Sequence, residues 1–318
     1  MGRTPGVFTL TLNPAIDHSI GLSQLLPGGL NRVVWEKTTA GGKGVNVAAF
    51  LADLGCRVTA GGLLGADNAD LFQRLFLERG IGDVFVRLPG RTRVNLKLID
   101  EHSQTVTEIN FPGQPVATEH LGELQRTIDA QLAGHAFCIV SGSLPAGVPV
   151  DYYAGLIARL TTAGRRVLLD SSGQPLRCAI VARPWAIKPN HAELEELVGR
   201  PLPDRAALSA AARAIVEQGV HQVIVSLGRH GALFVSAKRC LHAKPPAVAV
   251  RTTVGAGDAL VAGFIAGCLR GLDDDACARL AIAVAGGVLG EPGARLPGEA
   301  AIEALMARVE LSQVASGG

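Results

Sequence analysis

The clearest pattern in the chain is a series of short apolar runs that alternate with longer segments of helical spacing. Runs such as "VFTLTLN", "CRVTAGGLLG", "AFCIVSG", "RRVLLDSS", "PWAIKPN" and "HQVIVSLG" are typical of strands buried on both faces. Between them, "GKGVNVAAFLADLG", "DLFQRLFLERG", "DYYAGLIARLTTAG" and "AELEELVG" have the periodicity of amphipathic helices. This alternation predicts a three-layer α/β fold in which helices cover both faces of a mostly parallel sheet.

Two segments, residues 13–36 and 91–111, break that rhythm. The second, "RTRVNLKLIDEHSQTVTEINF", alternates polar and apolar residues around the polar turn "DEHSQ", which predicts a half-exposed hairpin. A half-exposed sheet has to pack one of its faces against another part of the protein. We therefore predict that these two segments form a small β-sheet lid on an α/β core built from residues 1–12, 37–90 and 112–318.

Composition narrows the class of protein. The chain has 318 residues, of which 48% are hydrophobic, so it can bury a large core. Its formal net charge of +2 is far from the strong positive charge of a nucleic-acid binder.

The six cysteines of the chain form no C-x-x-C pair, which favours reduced thiols over a zinc site or disulfides. The N-terminal stretch has no apolar signal region, and "LAIAVAGGVLG" is too short to span a bilayer. We expect a soluble cytoplasmic protein without nucleic-acid or membrane partners.

The stretch "TTVGAGDALVAGF" places two glycines and an acid before a run of small apolar residues. A helix N-terminus presents unpaired N–H groups and about half a positive charge, and glycines let an anion approach the backbone closely. We therefore predict an anion hole formed by the backbone of Gly255, Ala256 and Gly257. Asp258 is then suited to accept a proton from an alcohol during phosphoryl transfer. Capping of the helix by Asp258 is the alternative.

The stretch "TTAGGKGVNVAAFLADLG" is a second glycine-rich approach to a predicted helix. Gly41 and Gly42 would let backbone groups contact a polyhydroxy ligand, while Lys43 brings charge and Asn46 offers both a donor and an acceptor. A tight turn without a ligand is the alternative. The spacing excludes a dinucleotide motif at residues 255–260, because Leu260 stands where glycine is needed, and a P-loop fails because neither Ser nor Thr follows Lys43.

Taken together and in this order, several motifs resemble the PfkB family of sugar kinases, which have the ribokinase-like fold. The motifs are "TLTLNPAID", "GKGVNVA", "GRTRVNLKL", "VSGSLPAGV", "KPNHAELEELVGR", "VSLGRHGALFV" and "TTVGAGDALVAGF". The resemblance covers nearly the whole chain, from about Phe8 to the helix after Asp258. It implies a central parallel sheet, a β-sheet lid over the sugar, ATP as phosphoryl donor with Mg²⁺, and dimerisation through the lids.

The resemblance also implies roles for individual residues. Asp258 would be the catalytic base, with the backbone of Gly255, Ala256 and Gly257 as the anion hole. The residues expected to line the sugar site are Asp17, Gly41, Gly42, Lys43, Asn46 and Ser143. Those expected near the nucleotide are Lys188, Asn190, Glu193, Ser226, Gly228 and Gly231, with Glu193 reaching the metal through water. Asp170 ends a strand in "LLDSS", where it would help to order the waters of the metal.

The charges on one predicted strand bear on the substrate. Because successive strand side chains point to opposite faces, Arg93, Asn95 and Lys97 share a face of "RTRVNLKLI". A sugar phosphate would use such a face, since Arg offers a bidentate fork and Lys a point charge. A solvated basic face is the alternative.

The family resemblance, together with these charges, implies ATP-dependent phosphorylation of fructose 1-phosphate at its carbon-6 hydroxyl, with Arg93, Lys97 and Lys43 holding the existing phosphate. Kinases for tagatose 6-phosphate or fructose 6-phosphate, and a non-catalytic sugar-phosphate sensor, are the alternatives.

Overall fold

The computed structural model describes residues 5–248, 254–290 and 295–314. In chain order its strands are β1 (Gly6–Thr11), β2 (Ala15–Leu22), β3 (Val33–Gly41), β4 (Val58–Gly65), β5 (Gly82–Asp83), β6 (Val86–Leu88), β7 (Val94–Asp100), β8 (Thr105–Ile109), β9 (His135–Ser141), β10 (Arg166–Asp170), β11 (Ala186–Ile187), β12 (Gln222–Ser226), β13 (Ala232–Ser236), β14 (Cys240–Lys244) and β15 (Glu310–Gln313). The helices are α1 (Lys43–Asp53), α2 (Asp70–Glu78), α3 (Thr118–Gln131), α4 (Tyr152–Thr162), α5 (Gly173–Ala179), α6 (His191–Val198), α7 (Arg205–Glu217), α8 (Ala256–Leu269), α9 (Asp274–Leu289) and α10 (Glu299–Ala307).

The large sheet has the strand order β15-β14-β13-β12-β11-β10-β9-β1-β4-β5, with β6 also paired to β4. The pairs from β12 across to β5 are parallel, as are β4 and β6. The remaining edge, β12 to β15, is antiparallel. The predicted α/β fold with a mostly parallel sheet is therefore confirmed, and the antiparallel edge is an addition to it.

A second sheet, in the order β3-β2-β7-β8, lies apart from the first. Strands β7 and β8 form the predicted antiparallel hairpin, with Asp100 opposite Thr105 across its turn. Strand β3 begins within the predicted lid segment 13–36 and continues to Gly41. The small sheet thus runs directly into helix α1, which begins two residues later at Lys43.

Helices cover both faces of the large sheet. Helices α1, α8 and α9 bury their apolar residues against one face, and α3, α4 and α7 bury theirs against the other. Helix α8 is buried along nearly its whole length, which explains why "ALVAGFIAGCL" is apolar on all sides. No helix in the described ranges is both long and apolar enough to cross a bilayer.

This topology sets the position of the candidate site. Thr11, Ser141 and Asp170 are register partners at the carboxyl ends of β1, β9 and β10. Helices α1 and α8 begin at the same edge, where Lys43 and Asp258 both lie close to Asp170. The edge where strands end and helices begin is the ligand crevice of an open parallel sheet.

Candidate active site

Asp258 is buried in the first turn of α8, with 7% of its surface exposed. The residue before the helix is Gly255, with φ 82, and no side chain caps this end of the helix. Asp258 therefore does not serve as a helix cap. Its Oδ2 instead accepts a hydrogen bond from Asn46 Nδ2 at 2.8 Å, which links the starts of α1 and α8.

The surroundings of Asp258 raise the pKa of its carboxyl group toward neutral pH. The pKa of Asp258 is raised to about 7, mainly by burial and in addition by the nearby negative charge of Asp170. The hydrogen bond from Asn46 and the charges of Lys43 and Lys188 act in the opposite direction. A carboxylate with this pKa is ionised for part of the time at pH 7 and binds a proton well enough to act as a general base.

Two lysines converge on the buried carboxylate of Asp170. Asp170 Oδ1 lies 2.9 Å from Lys43 Nζ and 3.4 Å from Lys188 Nζ. Burial alone lowers the pKa of Lys43, but the charge and hydrogen bond of Asp170 and the charges of Glu193 and Asp258 together raise it by more. The ammonium groups of Lys43 and Lys188 face the carboxyl groups of Asp170 and Asp258 beside the start of α8. Lys188 Nζ is 3.6 Å from the position that a Cβ on Gly257 would take. Cationic side chains beside a helix N-terminus form an anion site.

The second glycine-rich stretch brings the lid strands against α1. Gly42 has φ 112, a backbone conformation that favours glycine, and it precedes α1 without any side-chain cap. A Cβ on Gly41 would lie 2.8 Å from Asp17 Oδ2, so only glycine lets the carboxylate pack there. The structure thus brings Asp17, Gly41, Gly42 and Lys43 together as predicted for one wall of a site.

The polar face of β7 is buried rather than solvated. Asn95 and Lys97 are each 8% exposed, whereas Leu96 and Leu98 on the other face are partly exposed. The alternative of a solvated basic face is therefore wrong. Lys97 Nζ lies 2.9 Å from Asp17 Oδ2, so the ammonium is already paired with a carboxylate. Its predicted contact with a substrate phosphate stays a prediction.

Arg93 lies just before β7 and holds together three segments near the lid. Its guanidinium donates to the carbonyl oxygens of Pro14 at 3.2 Å, Phe111 at 2.7 Å and Asn13 at 2.9 Å. Burial lowers the pKa of Arg93. A guanidinium has five N–H donors, so these three bonds leave capacity for a phosphate. Asn13, Arg93 and Gly113 line a small cavity, and Asn13 Nδ2 donates to Ser143 Oγ at 3.0 Å.

The residues predicted to contact the nucleotide surround the start of α6. Asn190 and Glu193 form a capping box, in which Asn190 Oδ1 accepts from Glu193 N and Glu193 Oε2 accepts from Asn190 N, each at 2.8 Å. Ser226 ends β12 and forms an isolated bridge with Asn190. Gly228 and Gly231 both have positive φ, at 57 and 88, in the turn that follows Ser226. Of the motif "TTVGAGD", residues 252 and 253 lie outside the described ranges.

Sequence reasoning did not single out Asn13, Thr11 and Ser141, whose polar side chains lie at the candidate site. The hydroxyls of Thr11 and Ser141 and the Oδ2 atom of Asp170 are buried without a hydrogen-bond partner among the described residues. Because the three residues are register neighbours, their oxygens form a row under the start of α1. The signal that could have revealed this row was the polar residue at the carboxyl end of each of these apolar strands.

Comparison with known proteins defines the class of this protein. A model of the pfkB family of carbohydrate kinases matches residues 10–301, and the chain belongs to that family. It is therefore a carbohydrate kinase, a phosphotransferase with an alcohol acceptor, as the motifs predicted.

Its relatives include proteins named 1-phosphofructokinase. The chain is 48% identical over 280 residues to that of Xanthomonas campestris pv. campestris, covering 86% of this chain and 88% of the relative. It is 44% identical over 292 residues to that of Rhodobacter capsulatus, covering 92% of each. The structure of phosphofructokinase-2 from Escherichia coli in complex with fructose-6-phosphate is similar, with a TM-score of 0.86, 28% identity and coverage of 95% of this chain and 98% of that one.

Proposed function

We propose that the protein transfers the γ-phosphoryl group of ATP to the carbon-6 hydroxyl of fructose 1-phosphate, giving fructose 1,6-bisphosphate and ADP. The similarity to 1-phosphofructokinases over most of the chain supports this substrate. The observation that carries the chemistry is the position of Asp258, a buried carboxylate at an uncapped helix start beside two ammonium groups.

In the proposed reaction, Asp258 accepts the proton of the carbon-6 hydroxyl as its oxygen bonds to the γ-phosphorus. The bond between that phosphorus and the β,γ-bridging oxygen breaks, and ADP leaves with the electron pair. Asn46 holds one oxygen of Asp258, so the carboxylate is oriented before the substrate binds. A positioned base of this kind contributes roughly 10²–10⁴-fold to the rate.

The N–H groups from Gly255 to Asp258 and the ammonium of Lys188 stabilise charge on the transferring group. These groups are fixed by the fold, so little reorganisation accompanies the reaction. The ammonium groups of Lys43 and Lys188 attract the triphosphate to the same place.

The carboxylates in the site are suited to a magnesium ion. Asp170 Oδ2 is buried without a partner among the described residues, and Glu193 presents a second carboxylate at the start of α6. Mg²⁺ prefers oxygen ligands and keeps several waters, so Glu193 and Asp170 would hold a hydrated ion. When bound, the ion neutralises charge on the phosphates.

The lid side of the site would bind the sugar. Asp17, Asn46 and the backbone at Gly41 and Gly42 face the place where a ketohexose would meet Asp258, and these groups suit its hydroxyls. For the existing phosphate we propose Arg93 and Lys43, with Ser143 and Asn95 nearby. The nucleotide would contact the groups around the start of α6 and the turn after β12, namely Asn190, Ser226, Gly228 and Gly231. Closure of the lid would exclude water and limit hydrolysis of ATP.

We also propose that the protein works as a cytoplasmic homodimer joined through the lids. The small sheet and its connections expose large apolar side chains, which a partner lid would cover: Leu30, Val33, Val34, Trp35, Val106, Ile109 and Phe111. A tetrameric inhibited form is known for the structurally similar phosphofructokinase-2 of Escherichia coli. The six cysteines are free thiols, as is usual in the reducing cytoplasm.

An ADP-release assay over fructose 1-phosphate, fructose 6-phosphate, tagatose 6-phosphate and ribose tests the substrate. We expect the highest kcat/KM with fructose 1-phosphate. Fructose 6-phosphate is the second candidate, because the similar Escherichia coli structure holds that compound. Preference for either 6-phosphate would contradict the proposed substrate, and sugar binding without ADP release would indicate a sensor.

A further inference from the structure

Lys97 is a buried cation whose partner is already part of the site. It lies in the middle of β7, and its side chain is 10% exposed. Its Nζ is 2.9 Å from Asp17 Oδ2, and the side chain of Asp17 is 16% exposed. In a buried ion pair of this length, removal of either charge would leave the other buried without its partner, which is unfavourable.

The register of the small sheet explains the pairing. Strands β2 and β7 are parallel, with Asp17 opposite Asn95 and Ser19 opposite Lys97. The side chains of Asp17, Asn95 and Lys97 therefore share one face, and the long lysine side chain reaches diagonally to the carboxylate. Ion pairing thus joins two strands of the lid at the wall of the sugar site.

The two oxygens of Asp17 have different surroundings. Oδ2 is held by Lys97 and packs against Gly41, where a Cβ would approach to 2.8 Å. Among the described residues, Oδ1 has only a long contact of 3.5 Å from Asn95 Nδ2. Asn95 is itself fixed, because its Oδ1 accepts from Phe111 N at 3.1 Å. Oδ1 is therefore the oxygen of Asp17 that remains available to a sugar hydroxyl.

We propose that Lys97 is a positioning residue that acts through Asp17 and does not bind the phosphate of the substrate. Its ammonium fixes Oδ2 so that Oδ1 points to the sugar as a hydrogen-bond acceptor. This inference rests on the proposed function, since it assigns how the same site recognises a phosphorylated ketohexose.

The charges near Asp17 favour this role over phosphate binding. A phosphate that drew the ammonium of Lys97 away would leave the carboxylate of Asp17 buried without its partner, which is costly. Arg93 also lies close enough to interact electrostatically with Asp17, but its bonds go to the carbonyl oxygens of Asn13, Pro14 and Phe111. Arg93 is thus able to meet a phosphate without breaking an ion pair, whereas Lys97 is not. Lys43 differs from Lys97 because its partner Asp170 would keep Lys188 at 3.4 Å.

The test compares Lys97→Met with Lys97→Arg and measures three quantities: KM for fructose 1-phosphate, KM for ATP, and the inhibition constant of inorganic phosphate competing with the sugar. We expect Lys97→Met to raise the KM of the sugar about tenfold, the loss typical of a misplaced charge-assisted hydrogen bond. The KM of ATP and the inhibition constant of phosphate should stay unchanged, and Lys97→Arg should recover part of the loss. A rise in the phosphate inhibition constant would overturn the proposal, because it would place Lys97 on the phosphate.

Two control variants calibrate these measurements. Arg93→Met should raise the phosphate inhibition constant, which verifies that the assay senses phosphate contacts. Lys244→Met removes a lysine from an exposed ion pair with Glu310, far from the lid, and should leave all three quantities unchanged.

A double-mutant cycle separates positioning from independent binding. If Lys97 acts only through Asp17, then Asp17→Asn combined with Lys97→Met should bind the sugar no worse than Asp17→Asn alone. Additive losses would overturn the proposal, as would a fall in thermal stability with no change in KM. Should Lys97→Met fail to fold, the double variant keeps the test valid, because it removes both buried charges. Absence of turnover by the unaltered protein would instead refute the proposed function, and calorimetric binding of the sugar phosphate would then still test the role of Lys97.

Discussion

At the scale of single residues, the proposed chemistry depends most on the environment of Asp258. Its carboxylate is buried, lies near another carboxylate, Asp170, and is held by Asn46. Burial acts more strongly on its pKa than the two lysines do, which leaves the value at about 7. The same residue on a protein surface would be fully ionised and a weaker base.

This pKa predicts a pH dependence of turnover. With ATP and sugar saturating, kcat should fall as the pH drops through about 7, because protonated Asp258 cannot accept the hydroxyl proton. Measuring kcat between pH 5 and 9 at constant ionic strength would locate the inflection. A profile that stays flat down to pH 5 would contradict the raised pKa of Asp258, since an unperturbed aspartate titrates near 4.

The sequence predicted many of these residue types but not their pairings. Spacing around Asp258 and the glycines indicated an anion site with a base, which stays a prediction. The pairing of Lys97 with Asp17 and of Lys43 with Asp170 joins residues 80 and 127 positions apart in the chain. Such contacts depend on strand order and register, which local patterns do not specify. For the same reason the sequence did not predict that the ammonium of Lys97 pairs with Asp17.

At the scale of elements, the site depends on two helices that start at glycines without side-chain caps. The N-cap residue of each helix has a positive φ, which is 112 at Gly42 and 82 at Gly255. Uncapped N–H groups remain available to a ligand, at some cost in helix stability. The hydrogen bond from Asn46 to Asp258 fixes the two helix starts relative to each other.

Gly41→Ala tests how the approach of the lid to α1 shapes the sugar site. The new Cβ would meet Asp17 Oδ2 at 2.8 Å and displace the carboxylate. We expect the KM of the sugar to rise about tenfold or more, while the KM of ATP changes little, because we propose that the phosphates of ATP bind at α8. Steady-state kinetics with each substrate varied in turn would measure both.

Gly155→Ala is the matched control for this substitution. Gly155 lies in α4, and a Cβ there would meet nothing within 4 Å. Its replacement should leave both KM values unchanged and slightly stabilise the helix. An equal effect of the two substitutions on the sugar KM would show that Gly41 has no special role.

Elements with strong periodicity were predicted well, and the rest were missed for physical reasons. The hairpin of β7 and β8 and the helices α1, α2, α4, α6 and α8 follow the predicted pattern. The antiparallel edge formed by β13, β14 and β15 was missed because the pattern within one strand does not specify whether a neighbour pairs with it in the parallel or the antiparallel direction. Length is not the reason, since β11 has two residues and was predicted.

At the scale of the whole molecule, the exposed apolar surface of the lid is the feature that a single chain leaves unexplained. Val33 is 55% exposed, Ile109 is 43% exposed and Trp35 is 38% exposed, and all three belong to the edge strands of the small sheet. Edge strands with apolar side chains favour association with another chain. The sequence predicted a half-exposed sheet, but only the fold shows that these side chains are gathered on one lid.

Sedimentation velocity tests the proposed dimer. The unaltered protein should sediment as a species of twice the chain mass of 32.9 kDa. Combining Val33→Glu with Ile109→Glu should produce monomers, since charges at a buried interface are unfavourable. Val181→Glu, at an equally apolar and 75% exposed position away from the lid, should leave the dimer intact. A monomeric unaltered protein would contradict the proposed assembly.

The most direct measurement of the central claim is single-turnover phosphoryl transfer by Asp258→Asn, with fructose 1-phosphate and ATP binding measured separately by calorimetry. The account predicts that transfer slows by roughly 10²–10⁴-fold while both affinities stay close to those of the unaltered protein. Asp274→Asn, which replaces an exposed acid in the first turn of α9, should transfer at the normal rate. Near-normal transfer by Asp258→Asn would contradict the account, because the carboxylate would then not be the base.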